Sequence, residues 1–251
     1  MVAERVEQNI EFINKFREKI YNFSGMVFNE TNHNILNCES PYGMTKMEIE
    51  GLIILNKIFF QNIYSYFELD EKLLFIPSFG CLRAATENLR LLMVYTQDAE
   101  FRTLYLENTN TDYRKKSDRE FMQSQILKRL DRIERDERTK NIIALTAKLQ
   151  NHLVTRESTV SEIHSELSKW NHALNMNLQA PLFINSNKIY LGIDNEENEY
   201  SNLIRKKYCE FVFELLSIYL TTITFYKCSE NLSDKFKELI DLYEEYIRLF
   251  Y

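Results

Sequence analysis

Residues 52–67 read LIILNKIFFQNIYSYF, and their reading decides the fold. Sixteen residues with hardly a charge leave no solvent face on a helix, and an element apolar nearly all round belongs at the centre of a structure. The run is also too long, and too poor in turn residues, for a buried strand. It therefore predicts a central helix over about 45–68, and neighbouring segments must supply the helices that cover it.

Upstream, Val6, Ile10, Ile13, Phe16, Ile20 and Phe23 recur at threes and fours, predicting a helix over about 3–23 with one buried stripe. Gly25, Pro41 and Gly43 stand among asparagines, so residues 24–44 read as an irregular loop. Downstream, Pro77 and Ser78 open a third helix, since proline in a first turn loses no hydrogen bond. LRAATENLRLLMVYTQ (82–97) continues it, and Asp98 caps a short helix after it. Further helices are expected over about 113–136, 139–152, from Ser158 or Thr159 onward, 197–227 and 232–250. The last carries a seam of Leu232, Phe236, Leu239, Tyr243, Ile247 and Phe250. PLFINSNKIYLGID (181–194) has two short apolar runs about NSN, as in a small β-hairpin. The expectation is a mainly α chain, a single helical-bundle domain over 1–251 with one small β-hairpin near 181–193.

Composition agrees. The 251 residues include only five Gly and three Pro, the residues that punctuate loops, against 17 Phe and 15 Tyr to fill a thick core. Cys38, Cys81, Cys209 and Cys228 show no metal-type spacing and read as free thiols of a reducing compartment, the cytoplasm. The first residues lack the apolar core of a signal peptide. FVFELLSIYLTTITFY (211–226) is short for a membrane span and holds Glu214, so no membrane association is expected. The net charge of −6 draws no polyanion as a whole, yet residues 114–140 carry ten Lys/Arg and six Asp/Glu. That stretch is either a solvated face of alternating charge or a basic stripe for an acidic partner.

Two polar stripes interrupt the apolar pattern. On the third helix Arg83, Glu87 and Arg90 follow one another at neighbour spacing. On the helix containing IHSELSKWNHALNM (163–176), Ile163, Leu167, Trp170 and Leu174 make a core seam. His164, Ser168, Asn171, His172 and Asn175 line the polar edge beside it. The two imidazoles stand about 12 Å apart along the axis and cannot chelate one metal ion. No phosphate loop, nucleophile elbow, zinc pattern or paired carboxylate–histidine set is present, so no metal or cofactor is expected. The chemical reading is a cleft in which His172 is a general acid or base beside the Arg83 guanidinium, with Glu87, Arg90, His164, Ser168 and Asn171 as binding residues. The plain alternative is a half-buried polar stripe that bridges neighbouring helices.

LRAATENLRLLMVYTQDAEFRTLYLEN (82–108) places an Arg, a Glu four residues on, aliphatic residues, an acidic break and a tyrosine-bearing short helix in order. IHSELSKWNHALNM (163–176) sets a Leu-Ser pair within a turn of a His. Both resemble segments of uncharacterised bacterial helical proteins similar to the HEPN superfamily. The resemblance implies an α-helical bundle of a bacterial toxin or antiphage defence system acting on RNA, commonly as a dimer. If active, it would be a metal-independent endoribonuclease. It also implies an Arg separated from the catalytic His by four to six intervening residues, which this chain lacks. Ser165, Glu166 and Leu167 stand there before His172, and Glu157, Ser158 and Thr159 before His164. Arg83, which matches the Arg of the first of these segments, would supply the guanidinium from another helix. The alternatives are a non-catalytic helical interaction subunit, associating through surfaces such as the terminal YEEYIRLFY, and a small-molecule-binding bundle.

Overall fold

A computed structural model of the chain describes residues 2–37, 43–108, 123–135, 157–171, 184–185, 188–189, 198–225 and 232–250. The described residues form helices α1 (Val2–Asn37), α2 (Lys46–Glu71), α3 (Phe75–Gln97), α4 (Ala99–Asn108), α5 (Gln123–Arg135), α6 (Glu157–Asn171), α7 (Glu199–Phe225) and α8 (Leu232–Phe250). The mainly α class expected from the periodicity is therefore found. Of the hairpin expected over 181–193, the described residues hold a ladder of two residues a side, Ile184 opposite Ile189 and Asn185 opposite Lys188. So small a ladder leaves the class helical, and the rest of that segment lies outside the described residues, as does the helix expected over 139–152.

The central run behaves as its composition demands. Thr45 caps α2: Glu48 N donates to Thr45 Oγ1 at 3.3 Å, and Thr45 N donates to Glu48 Oε2 at 2.7 Å. This reciprocal pair satisfies two orphan amides and starts the helix just ahead of the apolar run. Leu52, Leu55, Phe59, Phe60, Ile63, Tyr66 and Phe67 are all buried, and α2 packs against α1, α3 and α4. Phe59 and Phe60 both pack on Tyr219 of α7, with ring centroids 5.1 and 4.9 Å away. Such offset and edge contacts each add about 0.5–1.5 kcal/mol beyond the area they bury.

The loop expected over 24–44 is corrected over its first two thirds. α1 runs through it to Asn37 because the seam continues: Phe16, Ile20, Phe23, Val27, Thr31 and Ile35 are buried at steps of three and four. Gly25 serves close approach rather than a turn, since a Cβ there would lie 2.7 Å from the Tyr64 hydroxyl of α2. The asparagines occupy positions around this seam, where modest helix propensity is outweighed by packing.

α3 begins at Phe75, two residues before Pro77, which still falls within the first turn. The short link from α2 bends through Leu73, whose φ of 57° is left-handed without being glycine. It holds because Leu74 N donates to Leu69 O and the Leu73 side chain packs on the core. Asp98 caps α4 as expected, its Oδ1 accepting from Phe101 N at 2.9 Å. α3 and α7 are the hubs: α3 meets α2, α4, α5, α6 and α7, and α7 meets α1, α3, α6 and α8. In α8, Leu239 is buried as expected, and Tyr246, outside the expected seam, is buried with it against Phe16 and Phe213.

One buried polar group joins three helices. Asp70 of α2 is fully buried, and its Oδ2 accepts from Arg17 Nη2 of α1 at 2.8 Å and Arg205 Nε of α7 at 3.1 Å. Arg17 Nη2 also donates to Phe67 O at 3.0 Å. A carboxylate without water is tolerable only with such partners. Among the described residues no helix is long and apolar enough to cross a membrane.

Candidate functional site

The seam read on α6 forms over Ile163, Leu167 and Trp170, its fourth member Leu174 lying outside the described residues. Ile163, Leu167 and Trp170 are buried, and Trp170 meets Phe79 of α3 and Tyr208 of α7 at 4.9 and 6.2 Å between ring centroids. With that face sealed, the neighbouring edge of α6 turns its polar stripe toward the polar stripe of α3.

There the two stripes meet on one atom. Glu87 Oε1 accepts from Arg83 Nε, one helical turn earlier, at 3.1 Å and from His164 Nε2, across the helix interface, at 2.9 Å. The three side chains are 30%, 33% and 20% exposed in the order Arg83, Glu87, His164, so the cluster is open to solvent on one side. The hydrogen bond from His164 holds the Glu87 carboxyl below the usual carboxylate range. The Arg83 charge adds to this, and partial burial opposes it. An ionised carboxylate only accepts, so Nε2 is the protonated ring nitrogen and Nδ1 is the one able to take a proton.

The other residues read as binding residues divide. Arg90, expected to be part of an accessible stripe, is 2% exposed, and its Nη2 donates to Ser161 Oγ of α6 at 2.8 Å. It fastens α3 to α6 from beneath. Ser168 Oγ donates back to the His164 carbonyl at 2.6 Å and so belongs to its own helix. Asn171 closes α6; its side chain and the whole of His172 lie outside the described residues. The pair brought together is therefore Arg83 and His164, through Glu87. Ser161 was not singled out by the sequence, although it stands three residues before His164 on the same polar edge.

Elsewhere a cleft of about 820 Å³ opens between α1, α2 and α7, lined by Arg17, Arg205, Lys15, Tyr21, Phe67 and Glu68 among others. It borders the Asp70 cluster and shares no residue with the α3–α6 edge. Among the described residues no three His, Cys, Asp or Glu side chains converge as a metal ion would need. Cys81 and Cys209 are free thiols, and burial pushes the Cys209 thiol far above its usual range, away from nucleophilic use. Chemically, the α3–α6 edge offers an oriented imidazole and a guanidinium aimed at one point from two helices. Comparison of the chain with known protein families, with curated proteins and with solved structures finds no match.

Proposed function

We propose that the chain is a HEPN-like helical protein of a bacterial toxin or antiphage defence system that acts on RNA at the α3–α6 edge. The observation that carries this reading is the convergence of Arg83 and His164 on a single oxygen, 3.1 and 2.9 Å away, at a solvent-open edge. Metal-independent RNA cleavage asks for that pair. A base takes the proton from the 2′-hydroxyl as its oxygen attacks the adjacent phosphorus, and the P–O5′ bond breaks, the 5′-oxygen leaving with a proton taken from water to give a 2′,3′-cyclic phosphate. A guanidinium steadies the charge on the non-bridging oxygens meanwhile. The His164 edge that meets Glu87 faces the same point as Arg83, so with the carboxylate displaced and the ring protonated at Nδ1, Nε2 fits the first task and Arg83 the second. In this reading His172, which lies outside the described residues, is a second imidazole, and the protein works in the cytoplasm, alone or as a dimer.

The test is incubation of the purified chain with total RNA in the presence of a chelator, beside His164→Ala, His172→Ala and Arg83→Ala. Loss of a general base lowers cleavage by about 10²–10⁴-fold. Cleavage untouched by His164→Ala and abolished by His172→Ala would move the base to the second imidazole. No cleavage by the unaltered chain would remove catalysis. That result favours the second reading, a non-catalytic interaction subunit, supported by the absence of Arg at 165–167 and by the engagement of Arg83 Nε with Glu87.

A further inference from the structure

We propose that Glu87 is the resting occupant of an oxyanion seat formed by Arg83 and His164, and that an RNA phosphodiester binds by displacing its carboxylate. The proposal rests on the reading of the α3–α6 edge given above and adds the regulation of that site.

The geometry carries it. One anionic oxygen, Glu87 Oε1, accepts at once from a guanidinium on its own helix and an imidazole on the facing helix. A non-bridging phosphate oxygen makes the same demands of its surroundings: an anionic acceptor at about 2.7–3.1 Å from charge-assisted donors. The two anions cannot share the seat, because like charges in contact cost several kcal/mol. A carboxylate rooted one turn from Arg83 therefore competes with any phosphate for the same donors.

The contrast with Asp70 shows why this carboxylate can leave. Each of the two sits between two cationic or donor side chains from different parts of the chain. Asp70 is fully buried and inside the bundle, where departure would strand two guanidiniums. Glu87 is 33% exposed, so its carboxylate can rotate into water and be solvated there. The seat survives the departure because Arg90, 2% exposed and bonded to Ser161, keeps α3 and α6 together without Glu87. Exposed ion pairs contribute little to stability, which makes the exchange cheap for the fold.

The experiment is fluorescence anisotropy with a labelled single-stranded 2′-O-methyl oligoribonucleotide, which cannot be cleaved, at fixed low salt. Glu87→Gln keeps the side-chain size and an acceptor but removes the charge, and should bind about tenfold tighter or more. Glu162→Gln, an exposed carboxylate on α6 outside the seat, should bind as the unaltered chain does. Adding Arg83→Ala to Glu87→Gln should abolish the gain. Circular dichroism and the urea midpoint of each variant establish that it is folded, with Glu87→Ala as the replacement if Glu87→Gln is not. Equal tightening in Glu162→Gln would mean a general charge effect and overturn the proposal. So would unchanged or weaker binding by Glu87→Gln while Arg83→Ala and His164→Ala still weaken binding; the RNA reading would then stand alone. No binding by any form, or binding that no variant alters, would overturn both.

Discussion

Replacing Gly51 by alanine tests the packing of α2 on α3 at a single atom. The added Cβ would collide with the hydroxyl of Tyr95, and would lie 3.0 Å from Tyr95 Cζ and 3.4 Å from Leu106 Cδ2. Tyr95 has nowhere to go. It is fully buried, its hydroxyl donates to Glu48 O at 2.8 Å, and its ring meets Tyr105 edge-on at 5.4 Å. Arg102 Nη1 grips its carbonyl at 3.1 Å. Overpacking of this kind costs about 1–3 kcal/mol, and displacing the hydroxyl forfeits a further 0.5–1.5 kcal/mol of hydrogen bonding, roughly. Alanine returns about 1 kcal/mol of helix propensity. The net expectation is a loss of about 2 kcal/mol, or about 4–8 °C in the thermal midpoint of a chain this long. Urea unfolding of Gly51→Ala, Tyr95→Phe and the double variant completes the cycle. Removing the hydroxyl relieves the worst contact, so alanine at 51 should cost at least about 1 kcal/mol less in the Tyr95→Phe background. An alanine variant as stable as the parent, or an equal penalty in both backgrounds, would refute the reasoning.

Two further outcomes separate buried from exposed electrostatics. Asp70→Asn removes the charge between Arg17 and Arg205 and should cost about 3–5 kcal/mol in urea unfolding. Lys19→Ala at the exposed Lys19–Glu245 pair should stay within about 0.5 kcal/mol, and similar effects at both would undo the distinction. Glu214 of α7 is pushed up to about 7 by burial first and by Glu210 and Glu162 next. Its folded carboxyl thus keeps its proton past the 4.5 at which the unfolded one releases it. The associated stability is full below about pH 4.5, declines as pH rises and is gone above about pH 7. Glu214→Gln escapes that decline, so its stability relative to the parent should climb by up to about 3 kcal/mol between these limits, and parallel pH curves would contradict the burial of this side chain.

What the sequence disclosed was local. The apolar run of 52–67, the Asp98 cap and the Trp170 seam each rest on spacing within one helix, and each is found where periodicity put it. The extension of α1 through 24–37 was misread because Gly25 and the asparagines look like loop residues. Their neighbours Val27, Thr31 and Ile35 carried the true period. The two polar stripes were visible separately, Arg83, Glu87 and Arg90 on one helix and His164 and Ser168 on another. Their meeting at Glu87 Oε1 joins positions 77 residues apart and is a product of tertiary packing. For the same reason Arg90 reads from the sequence as a binding residue of its stripe, whereas its guanidinium is buried at the α3–α6 contact. The Arg17–Asp70–Arg205 group likewise joins distant positions, Asp70 and Arg205 standing 135 residues apart, and nothing about an aspartate within the acidic ELDE at the end of an apolar helix announces it.

That buried aspartate has a consequence for how the bundle is aligned. Helices held by aromatic and aliphatic side chains alone resist sliding only weakly, because a shift by one turn, about 5.4 Å, exchanges one set of apolar contacts for another. Moving α1 or α7 by that step would carry Arg17 or Arg205 away from Asp70, leaving charge stranded in a dry interior. The group acts as a registration pin: it selects one longitudinal alignment out of several that greasy surfaces alone would permit.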